Sequence, residues 1–250
     1  LSVQANDVKE KIRERWNDTA EEFDQCPGHG IHSEREKKAW QAILIKTVGR
    51  KQLKILDVGS GTGFIALLLA EYGHSVTGVD VAEEMLAHAR EKADRQKLNV
   101  TFQYGDADEL PFEDNVFDAV INRHVFWTMP DPEKAAAEWV RVLKPGGKLV
   151  IIDGDWNHFS PWKMIWKAAA TITVRLTEGA YSSSKSHGLR DFEKKLPLRS
   201  QKRPEADLRI LRALGMKEAE TVSFKDPRAH GLLDNLKYGY YQRFVVTTVK

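Results

Sequence analysis

The chain has 250 residues, 42% of them hydrophobic and 30% charged, with a net charge of +2 and one cysteine. That composition excludes a disordered tail and a disulfide-stapled secreted scaffold, and no apolar run reaches the ~20 residues that cross a bilayer. The length suits one α/β domain with an elaborated cap, and so small a net charge does not by itself call for a nucleic-acid partner. No signal-peptide pattern stands at the N-terminus, and the lone Cys26 fits a reducing cytoplasm.

In chain order, two helical segments come first, flanking a Gly/Pro loop, CPGHGIH (26–32). The second opens with Ser33 and Glu36, spaced as a capping box. Strands and helices then alternate. KILDVG (54–59), SVTGVD (75–80), NVTFQYGD (99–106), VFDAVINRH (116–124) and GKLVIIDGD (147–155) read as short buried strands. Between them FIALLLAEYG, AEEMLAHAREKADRQK and DPEKAAAEWVRVLK read as helices. Strand–helix–strand repeated in this way predicts a parallel sheet with helices on both faces.

Beyond residue 155 the pattern changes. Trp162, Ile165, Trp166, Ala169, Ile172 and Leu176 recur at helical spacing, which predicts a cap helix over the active site or against another subunit, with a lipid interface as the alternative. Residues 161–204 carry ten Lys or Arg against three Asp or Glu, a local +7 that leaves −5 for the rest. The basic stretch YSSSKSHGLRDFEKKLPLRSQKRP (181–204) reads as a surface loop that could order over an anionic substrate. A helix over 204–214 comes next, then two final strands, EAETVSF and YYQRFVVTTVK. No internal repeat appears.

The segment with the most chemistry is KILDVGSGTGF (54–64). Glycines between a strand and a helix let a ligand approach the backbone, with helix N–H groups available to its polar atoms. Dinucleotides and S-adenosylmethionine both use such a turn. The dinucleotide fingerprint G-x-G-x-x-G fits poorly: Phe64 stands at its third position and Gly63 comes one residue early. Asp57 inside the strand would repel a pyrophosphate, whereas it suits a sulfonium amino acid. Asp80 closes the second strand about 20 residues on, where a carboxylate takes ribose hydroxyls. Asp106 closes the third, placed to accept from an adenine amino group. Asn122 to His124 end the fourth, and LKPGG (143–147) makes the turn into the fifth. All these strand ends share one edge of the sheet, the edge at which open α/β folds bind ligands.

DVGSGTG, GVDVAEEML, GDADELPFEDNVFDAV and LKPGGKLVI together resemble the class I S-adenosylmethionine-dependent methyltransferases, most of all the branch with the ubiquinone- and menaquinone-biosynthesis enzymes and many small-molecule methyltransferases. The resemblance is close over residues 53–155 and extends loosely to RWNDTAEEFD (15–24), similar to that branch's helical lid, with Phe23 where a Tyr is frequent. It implies a Rossmann-like, mostly parallel seven-stranded sheet ending in an antiparallel hairpin. It implies one methyltransferase domain over 1–250: a helical lid (1–50), a cofactor-binding core (53–155), a substrate-cap insertion (156–204), and a C-terminal helix and hairpin (205–250). It further implies that Gly59, Ser60 and Gly61 line the methionine part of S-adenosylmethionine, with Asp57 and Asn122 in the same cofactor set. Asp80 would hold the ribose, Val81 and Met85 would flank the adenine, and Asp106 with Ala107 would read its edge.

Methyl transfer asks the protein to align a nucleophile with an electrophile that is already activated and to exclude water, with a base needed only for a protonated nucleophile. The catalytic candidates are His124 and Asp155, and the substrate-binding candidates are Trp127, Trp156, His158, His29 and His32; for each, a structural polar or packing role is the alternative. Trp127 and Trp156 suit an aromatic wall. Cys26, His29 and His32 at intervals of three could ligate zinc, but no partner Cys pair exists, so a lid loop is favoured and no metal is expected. The expected function is methyl transfer from S-adenosylmethionine to a small molecule in the cytoplasm, without nucleic acid or membrane insertion. Alternatives are RNA methylation, drawing on the basic insert, a non-catalytic cofactor-binding protein, and an NAD-linked oxidoreductase.

Overall fold

The computed structural model describes residues 3–25, 29–155, 161–178, 192–239 and 242–250. Of the residues singled out above, Cys26, Trp156 and His158 lie outside the described residues, as does the first part of the basic stretch, up to residue 191.

Five apolar segments form parallel strands: β1 (Lys54–Val58), β2 (Ser75–Asp80), β3 (Val100–Tyr104), β4 (Phe117–Arg123) and β5 (Leu143–Gly154). Two more, β6 (Lys217–Lys225) and β7 (Gln242–Val249), complete a sheet of order β3-β2-β1-β4-β5-β7-β6. β7 runs antiparallel to both β5 and β6. Ile55, Leu56 and Val58 of β1 are fully buried, as are Ala119, Val120 and Ile121 of β4, because helices cover both faces. Each such large aliphatic side chain stabilises the fold by about 1.5–3 kcal/mol.

The helices are α1 (Val3–Phe23), α2 (Glu34–Thr47), α3 (Phe64–Glu71), α4 (Glu83–Gln96), α5 (Pro132–Val142), α6 (Pro161–Glu178), α7 (Glu205–Ala213) and α8 (Gly231–Tyr238). Their starts reflect local chemistry. Asp131 caps α5 by accepting from Lys134 N at 2.9 Å, with Pro132 in the first turn, where its missing N–H costs nothing. Ser33 Oγ accepts from Glu36 N at 3.1 Å, while the Glu36 carboxylate takes His32 N rather than the N–H of Ser33 itself. The capping box is therefore present with its return bond shifted by one residue.

Three features depart from the sequence reading. β5 begins at Leu143 rather than after the glycines: Leu143 pairs with Phe117 and Lys148 with Ala119, and the intervening residues bulge out through Gly146 at φ 76°. The last two strands pair as expected but are separated by α8, so they do not form a tight hairpin. The largest departure is in α6. It packs on α8, with Trp166 Nε1 donating to Leu236 O at 2.9 Å, and its small residues Ala169 and Ala170 allow the close approach. The bulky stripe members Trp162, Ile165, Ile172 and Leu176 are exposed on the outer face. The segment from residue 192 to 199, before α7, is instead well anchored. Leu196 and Leu198 are buried, and Glu193 pairs with Arg15 of α1 at 2.8 Å.

Among the described residues, no helix is long and apolar enough to cross a membrane.

Candidate active site

β1 neighbours β2 on one side and β4 on the other, so the chain switches direction across the sheet there and a crevice opens beyond the strand ends. A pocket open to solvent occupies that crevice. Four elements wall it: Lys9, Ile12, Trp16 and Phe23 of α1; the loop from Gly59 to Thr62; Asp80, Val81, Met85 and residues 105–108; and residues 123–125 with Thr128, Met129 and Pro130.

The glycine loop is shaped for close approach. Gly59 has φ +65°, and a Cβ there would lie 2.3 Å from a Val125 methyl. Gly63 has φ +82° and caps α3. Ser60 N donates to Val79 O at 2.9 Å, while Ser60 Oγ is buried without a partner among the described residues. An orphaned hydroxyl beside a bare backbone turn is what a polar ligand would satisfy.

Two carboxylates form the pocket floor. Asp57 accepts from Ala66 N at 3.1 Å, and burial, with nearby Asp80 adding to it, pushes its carboxyl up to about 8. A ligand ammonium would restore the charged form. Asp80 is fixed at both oxygens, from Gly61 N at 2.8 Å and Ala82 N at 2.9 Å; burial raises it against those bonds. Each oxygen keeps a lone pair for a hydroxyl donor. At the next strand end, Lys9 Nζ bridges Asp106 Oδ2 at 2.7 Å and Asp108 Oδ1 at 2.5 Å, tying α1 across the pocket.

The opposite end is cationic and aromatic. Arg123 lies over the rings of Phe64 (4.2 Å) and Trp40 (4.9 Å), and burial together with Arg243 pulls it down to about 9, still charged at neutral pH. His124 sits in the left-handed region at φ 61°. Its Nε2 lies 2.8 Å from Arg243 Nη1 and its Nδ1 3.2 Å from Asp153 Oδ1. A guanidinium only donates, so Nε2 accepts and the ring proton is assigned to Nδ1, facing Asp153. Burial and Arg123 lower His124 to about 4 against the pull of Asp153. Behind it, burial would raise Asp153, but Arg203 and His124 hold it well below the usual carboxylate range.

Of the residues expected from sequence, Asp57, Gly59, Ser60, Gly61, Asp80, Val81, Met85, Asp106, Ala107, His124 and His29 all border this pocket. Asn122 does not. It is fully buried, with both amide atoms unpartnered among the described residues. Trp127 lies beneath Arg199 at 5.4 Å, His32 is engaged through its backbone at α2, and Asp155 is half-buried; none of the three borders the pocket. Among the described residues, none of α6 borders it either, because that helix is packed on α8. Sequence reasoning missed Lys9, Arg123 and Arg243. A charged residue inside the apolar run QRFVV was the available signal for Arg243, and Arg123 sits between two residues that were singled out.

Comparison with known proteins came to the same place on the chain. Residues 56–151 match the family model described as a methyltransferase domain. A demethylmenaquinone methyltransferase of Staphylococcus aureus is 38% identical over 181 residues, 71% of this chain and 74% of that protein. One from Thermus thermophilus is 48% identical over 102 residues, 40% of this chain but only 46% of that protein's length. In structure, a SAM-dependent methyltransferase from Aquifex aeolicus shares the fold with a TM-score of 0.60 at 22% identity, covering 93% of this chain and 97% of its own.

Proposed function

The chain belongs to the class I S-adenosylmethionine-dependent methyltransferases, in the branch that holds the quinone-biosynthesis enzymes, and we propose that it moves the methyl group of S-adenosylmethionine to a small aromatic acceptor of the quinol type. The observation that carries this reading is the division of one pocket into an acidic half and a cationic, aromatic half. In the acidic half, Asp57 and the Gly59–Ser60–Gly61 backbone suit the ammonium and carboxylate of the methionine part. Asp80 suits the ribose diol, and Val81, Met85, Asp106 and Ala107 suit the adenine. When bound, the cofactor supplies an electrophilic methyl on a sulfonium.

The protein's own contribution is orientation and exclusion of water. Phe23 and Phe64 offer flat apolar walls to an aromatic ring, and Arg123 offers a buried positive charge to an oxygen that becomes anionic. The relatives named for demethylmenaquinone supply the acceptor type; α1 serves as the lid, and the single Cys26 suits a cytoplasmic setting.

The test is methyl transfer from labelled S-adenosylmethionine to chemically reduced demethylmenaquinone in detergent, with a metabolite extract and total RNA as parallel acceptors. Labelled menaquinol is the expected product. Label found only in RNA, or only in a non-aromatic metabolite, would replace the quinol reading.

A further inference from the structure

His124, set at the end of β4, is where a base would first be sought. Its geometry forbids that role, because Nε2 is taken by Arg243 and Nδ1 by Asp153. A second histidine borders the same pocket. His29 lies against Phe23 with ring centroids 4.4 Å apart at a tilt of 50°, and meets His124 edge-on at 6.2 Å. Its Nδ1 is buried and has no hydrogen-bond partner among the described residues. A buried ring nitrogen without a partner is destabilising, and a ligand's donor would satisfy it.

Building on the quinol-type reading above, we propose that His29 is the catalytic residue that receives the acceptor's hydroxyl proton on Nδ1, with Arg123 holding the oxyanion that results. This defines the class of acceptor: an aromatic hydroxyl, whose ring packs against Phe23 and whose oxygen lies between a proton acceptor and a guanidinium.

The step balances. The O–H bond breaks and its electron pair stays on oxygen, while an N–H bond forms at His29 Nδ1. The phenolate system then attacks the methyl carbon, and the C–S bond breaks with its pair going to sulfur. A phenolate and a sulfonium become two neutral products, and the imidazolium returns its proton to water. If the methyl lands on a ring carbon, the hydrogen displaced there moves to the oxygen and restores the hydroxyl.

The charges around His29 fit this use. Burial, then Arg123, His124, Arg243 and Arg228, lower it well below the usual histidine range, so the ring is neutral and ready to accept at neutral pH. The guanidinium of Arg123 lowers the acceptor's hydroxyl as well. A weak base suffices when the proton it takes is made acidic by the site.

Nitrogen-15 NMR of histidine-labelled protein saturated with S-adenosylhomocysteine tests this without turnover. At pH 7 His29 should show a bare Nδ1 whose resonance moves on addition of 1-naphthol, while the His124 resonances keep their Nδ1–H pattern. An Nδ1 that carries the proton, or one that naphthol does not move, overturns the proposal. With reduced demethylmenaquinone as acceptor, His29→Ala should lower kcat by about 100-fold or more, the usual scale for a general base. His29→Asn, which keeps a hydrogen-bond acceptor, should retain naphthol binding and still lose kcat. Imidazole should restore part of the His29→Ala rate. If His29→Asn retained kcat within about threefold, far inside the range expected for loss of a base, the base role would be refuted. A wild-type enzyme that fails to methylate the quinol refutes the acceptor reading instead, and the naphthol measurement then decides His29 alone.

Discussion

Lys9 Nζ and Asp106 Oδ2 lie 2.7 Å apart, joining the first helix to the end of the third strand across 97 residues of sequence. Lys9 also reaches Asp108, whose side chain is almost wholly buried and whose other cation is Lys134 at 3.1 Å. With Trp16 and Phe23 of α1 also lining the pocket, this pair latches the helix over the place where the adenine is expected. Lys9→Ala leaves Asp108 its second partner, so the sheet should stay intact while the cover loosens. The latch is only partly exposed and worth about 1–2 kcal/mol, which corresponds to about five- to thirtyfold faster amide hydrogen exchange in α1. Exchange unchanged from the parent protein, with or without S-adenosylhomocysteine, would show that α1 is held by its other contacts, the packing on α4 and the Arg15–Glu193 pair.

Asp57 ties cofactor binding to pH. Its carboxyl, pushed up to about 8 in the ligand-free pocket, carries a proton at neutral pH. An incoming ammonium favours the carboxylate, so binding of S-adenosylhomocysteine should release a proton and tighten as pH rises toward 8. Below that value affinity should fall by up to about tenfold per pH unit. Calorimetry in buffers of different ionisation enthalpy measures the proton directly. Stability runs the other way: the folded chain keeps a proton that the unfolded chain loses near its ordinary value of about 4. The ligand-free fold therefore loses stability as pH rises from there toward 8. Asp57→Asn should remove that loss, abolish proton release and weaken binding. Proton release that persists in Asp57→Asn would assign it to another group.

The division between what was and was not legible in the sequence has a physical basis. β1 and β4 were legible because strands buried on both faces become continuous runs such as ILDV and AVIN, the edge strand β3 through its branched and aromatic residues, and all of them because each turn at the ligand edge has its own chemistry. Asp57, Asp80 and Asp106 were legible for the same reason, as acids ending apolar runs. α8 was not, because eight residues with three leucines on an exposed surface carry little periodic signal. The orientation of α6 was hidden because it has two apolar faces, one small and one bulky, and only the partner decides which is covered. His124 was singled out for its position, yet its partners Arg243 and Asp153 lie 119 and 29 residues away, beyond any local pattern.

Arg203 supports the last prediction. Its guanidinium meets Asp153 Oδ2 at 2.5 Å and Asp207 through both Nε (2.7 Å) and Nη2 (2.6 Å), and all three side chains are buried. Burial would lower Arg203, but the two carboxylates hold it above its ordinary value. Asp153 is held low by this cation and by His124, whereas burial pushes Asp207, on the same guanidinium, upward. Arg203→Met fills a similar volume yet leaves two carboxyls buried without their cation. The cost at pH 7 should be about 3–5 kcal/mol, the range for breaking a buried pair by removing one partner. The pH dependence distinguishes this from a packing defect. In the parent protein, the depressed Asp153 contributes stability above the unfolded carboxyl value, and that contribution disappears as pH falls. In Arg203→Met both carboxyls take up protons more readily in the folded state than in the unfolded chain, so lowering the pH toward about 4 relieves the mutant, whereas the parent's loss from Asp153 begins only below that value. Denaturant midpoints of the two proteins should therefore converge between pH 7 and pH 4. A gap that stays constant over that range would mean that lost packing, not uncompensated charge, sets the cost.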